Sequence, residues 1–291
     1  MPPNPAPHQD PDKTGDELKL QRFRVLSDIA EELSGDVVFP ICFDLAVRLR
    51  AVLDAPKSSL DDICKTVATD PLVCGKLLGM ANSVGFNPGH SEVRDLKGAV
   101  QRLGLQNVRS VALGMALKQL TMAGQMPSFE RLTKSLWDHS VRSAAACHVI
   151  ARKMTRLNPD DAFLVGLVHD IGAFYLFYRA SKYDELRRRP ESLRHLVVRW
   201  HETIGEALLQ ALGLPERISE AVREHDNSRP LPRTLRHLGD LVQVVNRLFG
   251  TTDDYLLPAR TPQSELSELD PYLPLLPDIE AGAVELLAAF A

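Results

Sequence analysis

The chain has 291 residues, of which 44% are hydrophobic and 25% are charged. This is the composition of an ordinary globular protein, and it excludes wholesale disorder and collagen-like repeats. Aromatic residues make up only 6% and the net charge is −4, which favours helices packed through Ala, Leu and Val over a β-rich core and gives no indication of a polyanion-binding surface.

The N-terminal end predicts neither a secretory signal nor folded structure. It lacks a cationic start followed by an apolar segment, and residues 1–17 are Pro-rich and polar, which indicates a disordered tail. No stretch of the chain approaches 18 uninterrupted apolar residues, so no membrane span is expected. Four scattered cysteines without CxxC spacing indicate free thiols and a cytoplasmic protein. These cysteines are Cys42, Cys64, Cys74 and Cys147.

Beyond the tail, apolar residues recur at three- and four-residue spacing, and no alternating strand pattern is found, so the chain is predicted to be all-α. Ser59 with Asp62, and Asp70 directly before Pro71, are typical helix starts. Gly104 indicates a helix end. About ten helices are expected up to residue 250.

A change of composition near residues 125–128 divides the folded part into two helical modules. Residues 18–124 are predicted to form an N-terminal bundle packed on a second module, residues 125–250, which carries seven of the nine histidines. Residues 251–291 form a C-terminal extension, in which Ile279 to Phe290 is a candidate amphipathic helix.

An adjacent pair, His169-Asp170, lies in the apolar segment Phe163 to Leu176, which is predicted to be one continuous helix. A carboxylate buried there costs free energy unless it is paired, hydrogen-bonded or metal-bound. Neighbouring helical positions diverge by about 100°, so one ion contacts both side chains only from between them, with other ligands from other helices. The alternative is an ordinary internal hydrogen bond of Asp170 to a neighbour.

Three further histidines are candidate partners of this pair. His139 precedes the small-residue run 143–146, which lets another helix approach closely. His201 is predicted to begin a helix, and His225 to end one. Histidines on separate helices that converge with a carboxylate suit Zn, Mn or Fe(II), although each histidine alone is more typical of a core or surface position.

The predicted helix over residues 233–249 tests this set of ligands. Counting 3.6 residues per turn places Asp240 nearly opposite the apolar face, where its carboxylate should be solvated. Asn246 lies at the margin of that face and can turn inward. A neutral amide is a weaker ligand than a carboxylate and adds no charge to activate a bound water, which counts against hydrolysis.

Two sets of short motifs run through the chain. They are Asp70-Pro71-Leu72, Lys76-Leu77-Leu78, Ala81-Asn82-Ser83, Ala99-Val100 and Leu103-Gly104, followed by Trp137-Asp138-His139-Ser140, the segment Gly166 to Gly172 and Leu212-Gly213-Leu214-Pro215. Together they resemble the HDOD family, the HD-related output domain of bacterial signalling proteins, from about Val38 to Gly250. The resemblance implies an N-terminal helical bundle joined to an HD-like helical module.

The resemblance also implies a metal site that is incomplete. HD phosphohydrolases bind metal through a His, a His-Asp pair and a later Asp. His139, His169 and Asp170 match the first three positions, whereas Asn246 stands in place of the last Asp.

Two other histidines are similar to the extra ligands of two-metal HD phosphodiesterases. These are His201 and His225, with Asp226 in place of the second member of a His-His pair. The Gly-Tyr-Pro signature of the cyclic-di-GMP phosphodiesterases is missing, and HDOD proteins are usually regarded as non-catalytic.

The resemblance therefore implies a non-catalytic regulatory protein that binds a protein partner or a small ligand such as a nucleotide. No cofactor is expected on this interpretation, with Fe, Mn or Zn as candidate metals. The alternative is a metal-dependent phosphohydrolase acting on a nucleotide or cyclic dinucleotide. Nucleic-acid binding through residues 187–189 is disfavoured, because three arginines in an acidic chain form only a local patch. The partner, the input signal and the oligomeric state stay open.

Overall fold

The computed structural model describes residues 15–34, 41–83, 86, 91–122, 129–187, 190–223, 225–226, 230–250 and 268–290. No strand occurs within these ranges, and the all-α class is confirmed. The first helix begins at Gly15, inside the predicted tail, and residues 1–14 lie outside the described residues.

The helices follow one another through both predicted modules. The N-terminal bundle contains α1 (Gly15–Ser34), α2 (Asp44–Asp54), α3 (Leu60–Val67), α4 (Pro71–Asn82) and α5 (Leu96–Met122). The second module contains α6 (Glu130–Met154), α7 (Pro159–Val168), α8 (Ile171–Ala180), α9 (Asp184–Arg187), α10 (Pro190–Ala211), α11 (Glu216–Val222) and α12 (Leu238–Phe249). The C-terminal extension contributes α13 (Leu276–Phe290).

Several helix ends follow from local capping chemistry. Ser59 and Asp62 form a reciprocal capping box at the start of α3, and the Asp70 carboxylate accepts two backbone N–H groups at the start of α4. Gly104 has a φ of 73° and interrupts α5 with a kink, a conformation that glycine adopts without steric cost. The predicted starts and the predicted stop are therefore found where the sequence places them.

Two predicted helix boundaries are wrong. His201 lies in the middle of α10, because buried apolar residues continue at helical spacing on both sides of it, as at Val197 and Ile204. The helix predicted from residue 233 begins at Leu238, because the Asp240 carboxylate accepts the backbone N–H of His237 and caps the helix start. Asp240 is predicted only to be solvated, and the structure shows that its carboxylate also caps α12.

The two modules share one continuous apolar core. A partly buried ion pair lies beside it: Asp161 of α7 accepts from the exposed Arg217 of α11, with Nε 2.7 Å from Oδ2, and from Gln106 of α5 at 3.0 Å. The Arg50 side chain of α2 also donates to the carbonyl of Ala211 at the end of α10. These contacts tie the N-terminal bundle to the second module.

The segment Pro159–Ala180, which contains α7 and α8, is the most apolar part of this core. By length and composition alone it could cross a membrane, but its apolar window is 94% buried among the other helices. Packing of α7 on α6 and of α8 on α10 accounts for that burial. In the Arg-rich stretch, Arg187 pairs with Asp184 at the end of α9, and residues 188–189 lie outside the described residues.

The C-terminal helix α13 folds back on the body of the protein and packs mainly on α6. Its buried residues recur at helical spacing and are Ile279, Ala283, Leu286 and Phe290. The Phe290 ring meets Trp137 edge-on, with ring centroids 5.3 Å apart, and fills the space above Gly114, where a Cβ atom would lie 2.7 Å from the ring. Phe290 is therefore the anchor of this helix.

We expect Phe290→Ala to destabilise the docking of α13 by about 3 kcal/mol, because it removes a fully buried ring. The matched control is Val284→Ala on the same helix, where the side chain is exposed and the change should stay within about 0.5 kcal/mol. Hydrogen exchange of the α13 amides, together with thermal denaturation, checks both. Equal protection in the two variants would contradict this role of Phe290.

Candidate metal centre

The core helix breaks at the His169-Asp170 pair. The chain leaves helical geometry between Val168 and Ile171, so the continuous helix predicted from Phe163 to Leu176 is wrong at this point. His169 keeps helical dihedral angles, and the departure is at Asp170, with φ −99° and ψ 17°. Nε2 of His169 lies 3.3 Å from Oδ2 of Asp170.

Two glycines flank the break and allow the backbones of neighbouring helices to come close. A Cβ atom on Gly166 would lie 2.5 Å from the carbonyl oxygen of Ser143 in α6, and one on Gly172 would lie 1.9 Å from that of His201 in α10. The first contact lies within the small-residue run that predicted a close helix approach. These contacts bring α6 and α10, with their histidines, up to the His-Asp pair.

The histidine of α6 completes a first group of donor atoms. Nε2 of His139 lies 3.0 Å from Nε2 of His169 and 3.8 Å from Oδ2 of Asp170. Ser143, one turn further along α6, places its hydroxyl 3.3 Å from the same His139 nitrogen. His139, His169 and Asp170 thus present three buried donor atoms that lie 3.0–3.8 Å from one another, close enough to bind one ion.

A second group forms around the other oxygen of Asp170. Nε2 of His225 lies 3.2 Å from Oδ1 of Asp170, and Nε2 of His201 lies 3.8 Å from the same atom. The structure therefore brings all five predicted ligands together, with Asp170 common to both groups.

Three of the four imidazoles are oriented by the backbone. Nδ1 lies 2.8 Å from the Gly166 carbonyl in His169, 2.9 Å from that of Val197 in His201, and 2.6 Å from that of Val222 in His225. A carbonyl only accepts, so each Nδ1 carries the hydrogen and donates it. Each Nε2 is then turned towards Asp170, the arrangement that metal-ligating histidines commonly show.

A further carboxylate, which the sequence reasoning did not include among the ligands, lies beside the second group. Oδ2 of Asp226 is 3.4 Å from Nε2 of His201, and Oδ1 is 3.7 Å from Nε2 of His225. Asn246 of α12 is buried and turned inward, and its Nδ2 donates to Oδ1 of Asp226 at 2.7 Å. The feature of the sequence that points to Asp226 is its position directly after His225.

Comparison with known families identifies the family of this chain. The family model of the HDOD domain matches residues 39–228. The chain belongs to the HDOD family. Helix α12 with Asn246 follows the matched region, although it packs into the same core.

Known proteins that resemble this HDOD protein are distant relatives. An uncharacterized protein of Treponema pallidum (strain Nichols) is 22% identical over 268 residues, covering 86% of this chain and 49% of its own length. The chain thus spans about half the length of this curated relative.

Two crystal structures are similar to the HDOD protein in fold. The "Putative metal-dependent phosphohydrolase" from Shewanella amazonensis SB2B has a TM-score of 0.71 at 23% identity, with 94% of this chain and 100% of that chain covered. An HDOD domain protein with unknown function from Geobacter sulfurreducens has a TM-score of 0.56 at 20% identity, with 92% and 99% covered. At these identities the likeness establishes the fold alone.

The electrostatics of the HDOD site favour a positive charge at its centre. Burial alone would lower the pKa of His225, but the carboxylates of Asp226, Asp170 and Glu202 raise it to about 10. Burial likewise opposes ionisation of Asp170, yet His169 and His225 hold the pKa of this carboxyl well below its usual range. A proton on His225 thus compensates the two buried carboxylates.

The residues present fit a divalent transition metal. Ligand bonds of about 2.1 Å in a tetrahedral site place neighbouring donor atoms about 3.4 Å apart. The distances of Asp170 and Asp226 from His201 and His225 are 3.2–3.8 Å. The Nε2 atom of His201 is also buried without a hydrogen bond of good geometry among the described residues. Imidazole and carboxylate donors suit Zn, Mn and Fe.

We expect Gly172→Ala to destabilise the protein by about 3 kcal/mol, because the new methyl group meets backbone of α10 that must shift to admit it. The control is Gly79→Ala, on an exposed position of α4 with nothing within 4 Å of its Cβ, which should stabilise the protein by about 0.5–1 kcal/mol. Urea denaturation measures both. A Gly172→Ala variant no less stable than Gly79→Ala would refute the close packing of α8 on α10.

In chelator-treated protein, stability should fall as the pH rises from 6.5 towards 10. The pKa of His225 is about 10 in the folded chain, against 6.5 for an ordinary histidine, so the folded state holds a proton that the unfolded state releases. Stability should also fall below pH 6.5, because burial lowers the pKa of His139 to about 3 and the unfolded state then binds the extra proton.

Melting temperatures between pH 5 and pH 9.5 test this profile. His225→Gln should reduce the loss of stability between pH 6.5 and pH 9.5. His195→Gln, on the exposed side of α10, should leave that loss unchanged. If the melting temperature of His225→Gln falls as steeply with rising pH as that of the wild type, His225 is not the source of the fall.

Proposed function

We propose that this HDOD protein is a non-catalytic, cytoplasmic regulatory module that acts by binding a protein partner or a small ligand in a bacterial signalling pathway. Its His-Asp centre holds a divalent metal ion as part of the folded core. His139, His169, Asp170, His201 and His225 would supply the ligands. The proposal includes no nucleic-acid target.

The burial of the donor set carries this proposal. His169 and Asp170 are 0% exposed, and His139, His201 and His225 are at most 3% exposed. A phosphoryl group would have to come within bonding distance of an ion held between these side chains. Among the described residues, the donors are enclosed by helices that pack backbone against backbone at Gly166 and Gly172.

Cavities elsewhere agree with a binding role. A cavity of about 400 Å³ lies between α4, α6, α7 and α13, lined by residues that include Phe86, His148 and Leu286. A second, on the surface of α2 and α3, includes Val52 and Lys65. None of the five candidate ligands lines either one. A ligand bound in either cavity would therefore not contact the five candidate metal ligands.

The alternative function is a metal-dependent phosphohydrolase acting on a nucleotide or cyclic dinucleotide. The donor set supports this alternative, because Asp170 is shared between two groups of histidines. A metal ion bound there would lower the pKa of a coordinated water and make it a nucleophile for attack on phosphorus. The same burial that carries the first proposal opposes this one.

Metal analysis and hydrolysis assays separate the two functions. Protein purified without chelator should contain a divalent metal, lose thermal stability on chelation and regain it on metal addition, since binding to the folded state alone stabilises it. It should hydrolyse neither cyclic dinucleotides nor (p)ppGpp-type nucleotides above the level of Asp170→Asn. Turnover that depends on metal and is lost in Asp170→Asn would establish the enzyme instead.

A further inference from the structure

We propose that Asp226 is a metal ligand of this chain and that Asn246 is the positioning residue that holds its carboxylate. The inference rests on the metal ion included in the proposed function. It means that the carboxylate missing from position 246 is present at position 226, on the turn that follows α11. The site would then be rearranged and not incomplete.

The position of Asp226 supports its role as a ligand. Its two oxygens lie 3.4 Å and 3.7 Å from Nε2 of His201 and of His225, close to the spacing of neighbouring ligands around one ion. Both nitrogens also face Asp170, at 3.8 Å and 3.2 Å. Each of the two imidazoles therefore has an oxygen of both carboxylates within 4 Å of its Nε2 atom.

The backbone fixes this carboxylate from the side of α10. The N–H of Asp226 donates to Oε1 of Glu202 at 2.8 Å, and Glu202 directly follows His201 in the helix. The turn that carries His225 and Asp226 is thus held against the helix that carries His201. The side chain of Asp226 is only 11% exposed, so its charge needs a partner within the core.

The neutral side chain of Asn246 has a specific consequence for Asp226. Its amide donates to Oδ1 of Asp226 at 2.7 Å, whereas a carboxylate at position 246 would place two negative oxygens at that distance. Like charges this close disfavour ionisation of both groups. An amide at position 246 is therefore the residue type that a carboxylate at position 226 requires, and the two departures from the HD pattern compensate each other.

Exchange of the two side chains gives the sharpest test. The variants are Asp226→Asn, Asn246→Ala and the double exchange Asp226→Asn/Asn246→Asp. The control is Asp240→Asn, which makes the same chemical change at the start of α12, where Asp240 caps the helix. Cobalt(II) is the probe, with its visible absorption and its affinity in competition with a chelator as readouts.

We expect Asn246→Ala to weaken cobalt affinity by about 10–100-fold, as loss of a positioning hydrogen bond does at metal sites, and Asp226→Asn to weaken it more. The double exchange should bind cobalt more tightly than Asp226→Asn alone, because it restores one carboxylate and the hydrogen bond between the two residues. Asp240→Asn should lose stability but keep the wild-type affinity and absorption spectrum.

The outcomes separate this inference from the proposed function. Wild-type protein that binds no cobalt would overturn both the metal centre and the role of Asp226. Wild-type affinity in Asp226→Asn would overturn only the role of Asp226. A double exchange that binds no better than Asp226→Asn would overturn the compensation between positions 226 and 246. Circular dichroism of each variant identifies loss of fold, and the double exchange tests the inference by a gain of affinity.

Discussion

A carboxylate buried completely among helices is the constraint on which this structure depends. Asp170 has no exposed surface, and four imidazole groups from separate parts of the chain lie within 4 Å of its oxygens. An ionised group in such a place costs several kcal/mol unless charges or hydrogen bonds compensate it. The second module is arranged so that this compensation comes from four directions, on α6, at the break between α7 and α8, on α10 and after α11.

The convergence of the four histidines on Asp170 requires particular residues in the neighbouring helices. The histidines reach Asp170 only because α7 and α8 approach α6 and α10 at backbone contact, which Gly166 and Gly172 permit. Backbone carbonyls then fix the ring orientation of three histidines. The same close packing that assembles the centre also encloses it. A metal bound there would contribute to the stability of the module, and under the proposed function a partner or ligand would bind at other surfaces.

The predictable parts of this protein are those that short-range chemistry decides. Helix starts at Ser59 and Asp70 follow from capping residues that act within one turn. His169 and Asp170 stand out as candidate ligands because they interrupt an apolar segment. The small residues near Ser143 predict a close helix contact. His139, His201 and His225 are candidates through their positions on other predicted helices, and the HD resemblance places them in one set with His169 and Asp170.

The parts that were missed depend on contacts between distant segments. Apart from His169 and Asp170, residues 163–176 are compatible with one apolar helix. Nothing local therefore reveals the break at this pair, which lies where α6 and α10 meet the segment. Asp226 stands where the two-metal HD pattern has a second histidine, and nothing in the local sequence shows that its carboxylate is buried. Its burial becomes evident only once α10 and α12 close over the turn, with Glu202 and Asn246 as its hydrogen-bond partners.

The central claim is that this buried centre holds a metal ion. Anomalous diffraction from crystals of protein purified without chelator, recorded on both sides of the absorption edge of the metal found, tests it most directly. The account predicts an anomalous peak within bonding distance of Asp170, among His139, His169, His201 and His225. Well-ordered side chains at the observed distances, with no anomalous peak and with His225 hydrogen-bonded to Asp170, would contradict it.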